Sequence, residues 1–290
     1  MIVIGYRVRD ELARCLDSIF DHAGVPVELT YVDNASRDGS VEWVREAFPA
    51  VHVIELERNL FGSARNRALG EGRGRYTLFI DSDAVLLPAT LPTMVEALDR
   101  HPNWGLIGPR LQYPGGELQF SCRRFPPRSL PIRRRPPLRF ALERSGAVRH
   151  HLMEEVDHTQ TRPVLYVLGA CQLFRSCLTD TLGGLDPAFG WGGEDIDWCI
   201  RTWESGSEVV YLPAVSVDHD YRRRSSSAPL SGTAVRHLQS FVRLQWKYRG
   251  RLAEFADFCE RLDTRAGDRS TGRFRRPLLL GDESARVSGR

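Results

Sequence analysis

Four short apolar runs, each followed by a turn and three of them by a stretch of helical periodicity, constrain this chain more than any other feature. Ile2 to Ile4 precedes a helix predicted over Asp10 to Phe20, and Val27 to Val32 precedes one over Val41 to Phe48. Val51 to Leu56 precedes one over Gly62 to Leu69, and Tyr76 to Ile80 runs straight into Asp81-Ser82-Asp83. Leu91 to Arg100 then reads as a helix and Trp104 to Ile107 as a strand. Strands alternating with amphipathic helices argue for an α/β sheet with mostly parallel strands. Sheets of that kind bind ligands beyond the carboxyl ends of their strands.

Acids stand at those ends. Side chains two apart on a strand point the same way, so Asp81 and Asp83 would project together from the strand Tyr76 to Ile80. Two hard oxygen donors at that spacing suit Mn²⁺ or Mg²⁺, which share their ligands with phosphate oxygens; the plain alternative is a solvated Asp-Ser-Asp turn. Asp33 ends the short strand Leu29 to Val32 and opens Asp33-Asn34-Ala35-Ser36-Arg37-Asp38-Gly39-Ser40, rich in turn and helix-start residues. It reads either as an ordinary strand-to-helix turn or as an acceptor for a nucleotide base or ribose. Farther on, Gly190-Trp191-Gly192-Gly193 runs into Glu194 and Asp195, after which Ile196, Cys199, Ile200 and Trp203 recur at helical spacing. A carboxylate on the mouth of a helix either caps it or faces a cleft and takes a proton from something bound there.

Taken in order, Val32 to Ser40, Asn59-Leu-Phe-Gly-Ser-Ala-Arg-Asn-Arg-Ala-Leu69, Asp81-Ser82-Asp83, Gly169-Ala170-Cys171 and Gly193-Glu-Asp-Ile-Asp-Trp198 resemble the family 2 glycosyltransferases. Within that family the chain is most similar to the bacterial rhamnosyltransferase-like branch. The resemblance implies a GT-A fold, with a mixed, mostly parallel central sheet flanked by helices. It also implies a nucleotide-sugar donor, a divalent metal (Mn²⁺ or Mg²⁺) and inversion at the anomeric carbon. Residue by residue, it makes Asp195 the general base, Asp33 the acid at the base or ribose, and Arg65 the arginine near the diphosphate. Tyr6, Asn59, Asp81 and Ser82 join the donor side. Asp83 is the main metal ligand, with Asp81 and His219 beside it, while Trp191, Gly193 and Glu194 fall on the acceptor side. The donor it implies is dTDP-rhamnose or a UDP-sugar, and the acceptor a hydroxyl of a glycan, glycolipid or lipid-linked molecule. The chain departs from the family pattern at Gly5-Tyr6-Arg7, where Thr-Tyr-Asn is usual, and at Leu60-Phe61-Gly62, where Gly-Phe-Ala is common.

At 290 residues and 42% hydrophobic the chain can bury a sizeable core. One domain is expected over 1–250, with a nucleotide-binding half at 1–110, a basic acceptor-side loop region at 111–165 and a catalytic half at 166–250; a helix end and a disordered tail are expected over 251–290. A net charge of +3 is too mild to argue for nucleic acid, which is not expected as a partner. Six cysteines without a C-x-x-C pair read as reduced, mostly buried thiols. With no signal peptide or membrane span in view, a cytoplasmic enzyme is expected. The arginine-rich stretch 123–150, with Glu143 its sole acid, reads as a contact to an anionic membrane face or lipid-linked phosphate, or as an arginine-biased loop. A homodimer is compatible with the sequence. His150 to His158 lacks the H-E-x-x-H order and reads as a polar linker. Gln239 to Tyr248 reads as an amphipathic helix closing the domain or touching acceptor.

Two other classes fit parts of the pattern. A sugar-phosphate nucleotidyltransferase would carry a Gly-rich loop after the first strand, which Gly5-Tyr6-Arg7-Val8 does not supply. A catalytically silent membrane- or polysaccharide-binding relative would have no need to keep Asp81, Asp83 and Asp195 together.

Overall fold

The computed structural model describes residues 1–130, 145–220 and 232–267. Strands β1 (Ile2–Gly5), β2 (Thr30–Asp33), β3 (His52–Glu55) and β4 (Tyr76–Asp81) lie parallel, in the order β3-β2-β1-β4. Between them run α1 (Arg9–His22), α2 (Ser40–Ala47) and, where an α-helix is predicted at 62–69, a 3₁₀ helix of the same length at Phe61–Ala68. In α1, Leu12, Cys15, Leu16 and Ile19 are buried at one helical stripe, with Asp10 and Glu11 at its positive end.

The sheet continues through β5 (Ala84–Leu86), β6 (Trp104–Gln112), β11 (Cys171–Arg175) and β12 (Glu208–His219), in the order β4-β11-β6-β12-β5. Strand β11 is antiparallel to both β4 and β6, and β5 is antiparallel to β12, whereas β12 runs parallel to β6. The sheet is therefore mixed, with its long strands pointing one way. Short strands β7 (Leu118–Gln119), β8 (Cys122–Arg123), β9 (Arg162–Pro163) and β10 (Tyr166–Val167) decorate this body.

Neighbouring residues on the strands divide between two cores, as the period of two requires. Leu78, Ile80, Ile107 and Val210 face one side with α1 and α3 (Thr90–Arg100), while Phe79, Leu106, Phe174 and Val209 face the other. On that second side lie α6 (Glu194–Glu204), α7 (Gly232–Lys247) and α8 (Leu252–Gly267). Two further helices, α4 (Gly146–Leu152) and α5 (Cys177–Leu182), are short.

Two expectations need correction. The folded body does not stop at 250, because α8 buries Phe255, Phe258, Cys259 and Leu262 against the sheet side, and Asp263 pairs with Arg124 and Arg162. The segment 150–158 is no polar linker: His151 and His158 are buried, their ring nitrogens bonded to Arg124 O and Met153 O. The chain from Glu208 to His219 forms one strand, β12, carrying an irregularity between Leu212 and Ser216. Most of the arginine-rich stretch (131–144) and the tail from 268 lie outside the described residues. All six cysteines are free thiols, with Cys177 alone exposed.

Candidate active site

The site forms where β4 ends. Asp81 is the last residue of β4, and its N–H donates to Ala170 O at 2.9 Å, which carries the β4–β11 ladder one step farther. Ser82 is buried and donates its N–H to Ile4 O, and the chain turns there into β5. Pairing of β5 with β12 sets His219 opposite Ala84, so a residue 136 positions away arrives beside Asp83. His219 Nε2 stands 3.4 Å from Asp83 Oδ1, and Asp81, Asp83 and His219 offer ligand atoms all within 4.8 Å of one another.

This donor set fits a divalent cation. His219 Nδ1–H donates to Gln119 Oε1 at 2.6 Å, while Gln119 Nε2 donates to His219 O at 3.2 Å. The glutamine therefore fixes the tautomer that turns Nε2 toward the two carboxylates, as outer-shell partners of metal-binding histidines do. Burial alone would lower the His219 pKa, but Asp83, Asp81 and Asp220 together raise it. Asp81 is pushed up by burial, pulled back by Arg65 and raised again by Asp83. Such a cluster of negative charge is relieved by a bound cation.

Arg65, from the 3₁₀ helix, is buried and pairs its Nη2 with Asp81 Oδ1. The same nitrogen lies 3.5 Å from Gly169 O, and the guanidinium sits 5.5 Å from the Phe79 ring centroid. Its Nε has no hydrogen-bond partner among the described residues. Gly169 also looks the other way, donating its N–H to Asp195 Oδ2 at 3.2 Å. Asp81, Arg65, Gly169 and Asp195 are thus joined in one continuous series of contacts.

Asp195 lies in the first turn of α6, whose N-cap, Gly193, has φ +95° and so occupies backbone space that other residues enter at a cost. Burial raises the Asp195 pKa, opposed by the N–H groups of Ile196 and Gly169. Glu194 is pushed to about 7, first by burial and then by Asp195, and its Oε2 has no hydrogen-bond partner among the described residues. A Cβ on Gly62 would meet Glu194 Oε1 at 2.3 Å, so glycine there makes room for the carboxyl.

The remaining expected residues surround this centre. Asp33 is 1% exposed and accepts from Tyr31 OH at 3.0 Å and Ser36 N at 2.9 Å, bracing the loop after β2. Asn59 Oδ1 accepts from Phe61 N, and Tyr6 is half-buried with the Arg7 guanidinium 5.2 Å from its ring. Trp191 meets the Phe61 ring edge-on at 5.9 Å, with the Arg236 guanidinium 5.2 Å from Phe61. Sequence reasoning passed over Gln119, Phe61 and Ser240. Phe61 holds φ +55°, and Ser240 Oγ accepts from Gly190 N and Trp191 N. Only the irregular Leu60-Phe61-Gly62 hinted at the second of these three in the sequence.

Known proteins share the sequence pattern and the fold of this chain. Residues 1–175 match the model of the family described as Glycosyl transferase family 2. The chain is 26% identical, over 87% of its length and 90% of the relative's, to N-acetylglucosaminyl-diphospho-decaprenol L-rhamnosyltransferase of Mycobacterium tuberculosis. Among solved structures it resembles GalNAc-T7 with UDP, GalNAc and Mn²⁺ at TM-score 0.61 and 16% identity, covering 84% of this chain but only 46% of that one. It also resembles S. aureus TarS 1-349 in complex with UDP-GlcNAc, at TM-score 0.55 and 17% identity over 85% of this chain and 72% of that one. These structural likenesses carry the fold, which is GT-A. Since the family match spans more than half of the 290 residues, this chain belongs to glycosyl transferase family 2.

Proposed function

We propose that this chain is an inverting, metal-dependent transferase that moves a sugar from a nucleotide-diphosphate donor to an acceptor hydroxyl. The reading rests on one observation. A three-ligand cation cluster (Asp81, Asp83, His219) is linked through Arg65 and Gly169 to an acid at a helix mouth, Asp195.

In this reading Asp195 takes the proton from the acceptor hydroxyl as it attacks the anomeric carbon. Its raised pKa makes it a better base than an exposed aspartate. Glu194, beside it and with Oε2 unpaired among the described residues, would hold the acceptor through a hydroxyl. Trp191 and Gly193 shape that side. Asp83 and His219, with Asp81, would hold the cation, and a nitrogen donor favours Mn²⁺ over Mg²⁺. When bound, the cation stabilises charge gathering on the departing nucleotide diphosphate. Arg65 would add a charge-assisted contact to the same oxygens. Asp33, Tyr6, Asn59 and Ser82 are assigned to the nucleoside end. Attack from the face opposite the leaving group, with no covalent intermediate, inverts the centre. Similarity to the mycobacterial rhamnosyltransferase favours dTDP-rhamnose, with a UDP-sugar next, and a lipid-linked sugar as acceptor.

A thermal-shift panel of dTDP-, UDP- and GDP-sugars, each with and without Mn²⁺, tests the reading. A ligand bound only by the folded state raises apparent stability. A metal-dependent shift with one nucleotide class is expected; no shift with any, in folded protein, would overturn it.

A further inference from the structure

Helix α7 carries an apolar stripe on the face turned away from the protein. Ser240, Leu244 and Tyr248, at and just beyond its end, recur every four residues and are buried. On the opposite side, Val235, Val242 and Trp246 are 46%, 57% and 65% exposed, and with the exposed Gln239 they follow an i, i+4, i+7, i+11 pattern. They account for three of the five large exposed hydrophobics among the described residues.

The charge carried by the helix itself has one sign, with Lys247 pairing to Asp186 and Asp197 from outside it. From Gly232 to Gly250 there is no acid, whereas Arg236, Arg243, Lys247 and Arg249 are cationic. Arg243 and Arg249 are exposed, and the Arg249 guanidinium lies 4.5 Å from the Trp246 ring centroid. A basic helix that exposes tryptophan and valine along one stripe has the composition of helices that lie in a membrane interface. The adjoining chain shares that character. Gln245 Nε2 donates to Pro126 O at 2.8 Å, and Phe125 packs on Tyr248, so α7 borders the segment that opens the arginine-rich stretch.

We propose that α7 docks on an anionic lipid surface, with Val235, Val242 and Trp246 entering the headgroup layer and Arg243 and Arg249 pairing with lipid phosphates. The same helix holds the acceptor side of the site. Ser240 anchors Gly190 and Trp191, and Arg236 covers Phe61. Docking would therefore bring the loop 190–193 close to the membrane plane. Use of a lipid-linked acceptor there rests on the function proposed above, but the docking itself does not.

The full chain should be sedimented with vesicles of phosphatidylglycerol mixed with phosphatidylcholine, and with vesicles of phosphatidylcholine alone. Binding to the mixed vesicles that fades with added salt is expected. Removing two of the exposed arginines (Arg243→Gln with Arg249→Gln) should weaken partition roughly thirtyfold, at about a kilocalorie per cation. Trp246→Glu with Val242→Glu should abolish it. Both pairs are on the surface, so the folded state should survive, and the nucleotide-sugar thermal shift should be unchanged. Failure of the wild type to sediment, or sedimentation that neither pair weakens, would overturn the proposal. So would a dimer, seen by light scattering without lipid, that Trp246→Glu splits, since the stripe would then belong to a second copy. Vesicle binding without any donor-induced shift would leave the docking standing and sink the transferase mechanism instead.

Discussion

At the residue scale, two adjacent carboxyls differ in what surrounds them. Asp195 has both oxygens occupied by backbone N–H groups, Ile196 N at 2.9 Å and Gly169 N at 3.2 Å. Asparagine keeps the shape but cannot accept both bonds, so Asp195→Asn should cost about 1 kcal/mol of stability. Its larger effect should be a turnover loss of roughly 10²- to 10⁴-fold with the donor thermal shift retained. Initial-rate assays beside melting curves check this, and unchanged transfer would remove Asp195 as the base. Glu194 gives a pH signature. Its folded value of about 7 lies above the ordinary 4.5, so the folded state binds more protons between those limits. Its contribution to stability is full below about 4.5 and is lost as pH rises through about 7. Melting temperatures of Glu194→Gln across that window should decline less steeply than those of wild type; parallel curves would show that the carboxyl titrates normally. The acids at this site were legible because they are local in sequence: Asp81 and Asp83 are two apart, Glu194 and Asp195 adjacent. Gln119 was not legible, since nothing near it announces that it will meet His219, 100 positions away.

At the element scale, α6 and α7 are fastened through one buried charge. Asp197 is fully buried and accepts from Arg201 Nε at 2.8 Å, Lys247 Nζ at 2.5 Å and Tyr248 OH at 2.7 Å. Removing a carboxylate so enclosed takes from Arg201 its ion-pair partner and from Lys247 one of two. Asp197→Ala should therefore destabilise by about 3–5 kcal/mol, read from denaturant unfolding. A loss below about 1 kcal/mol would mean that the apolar contacts of Leu244 and Tyr248 hold α7 by themselves. Most strands and helices up to Ile107 were readable, the strands as short apolar runs and the helices from a repeat of 3.6, whereas the three-residue β5 gave no such signal. The 3₁₀ helix at Phe61–Ala68 was not: its burial pattern resembles that of an α-helix, and Phe61 enters it from a positive φ that only tertiary contacts impose. Strand β12 holds Pro213 within the irregularity between Leu212 and Ser216, where its pairing with β6 slips.

At the scale of the whole molecule, the family match ends at residue 175, and much of the candidate chemistry lies beyond it. Asp195 and His219 come from the remaining chain, and the sheet order β11-β6-β12-β5 returns them to the end of β4. No helix among the described residues is long and apolar enough to cross a membrane. The fastening of α7 has an analytical consequence. Lys247 is the only lysine in 290 residues, and it is bound to Asp186 as well as Asp197. An acylating reagent thus has a single ε-amine to modify, and peptide mapping distinguishes it from the α-amine. Its rate of modification should rise several-fold in Asp197→Ala. One peptide in a mass spectrum would then report, under any condition tried, how firmly α7 is fastened to α6.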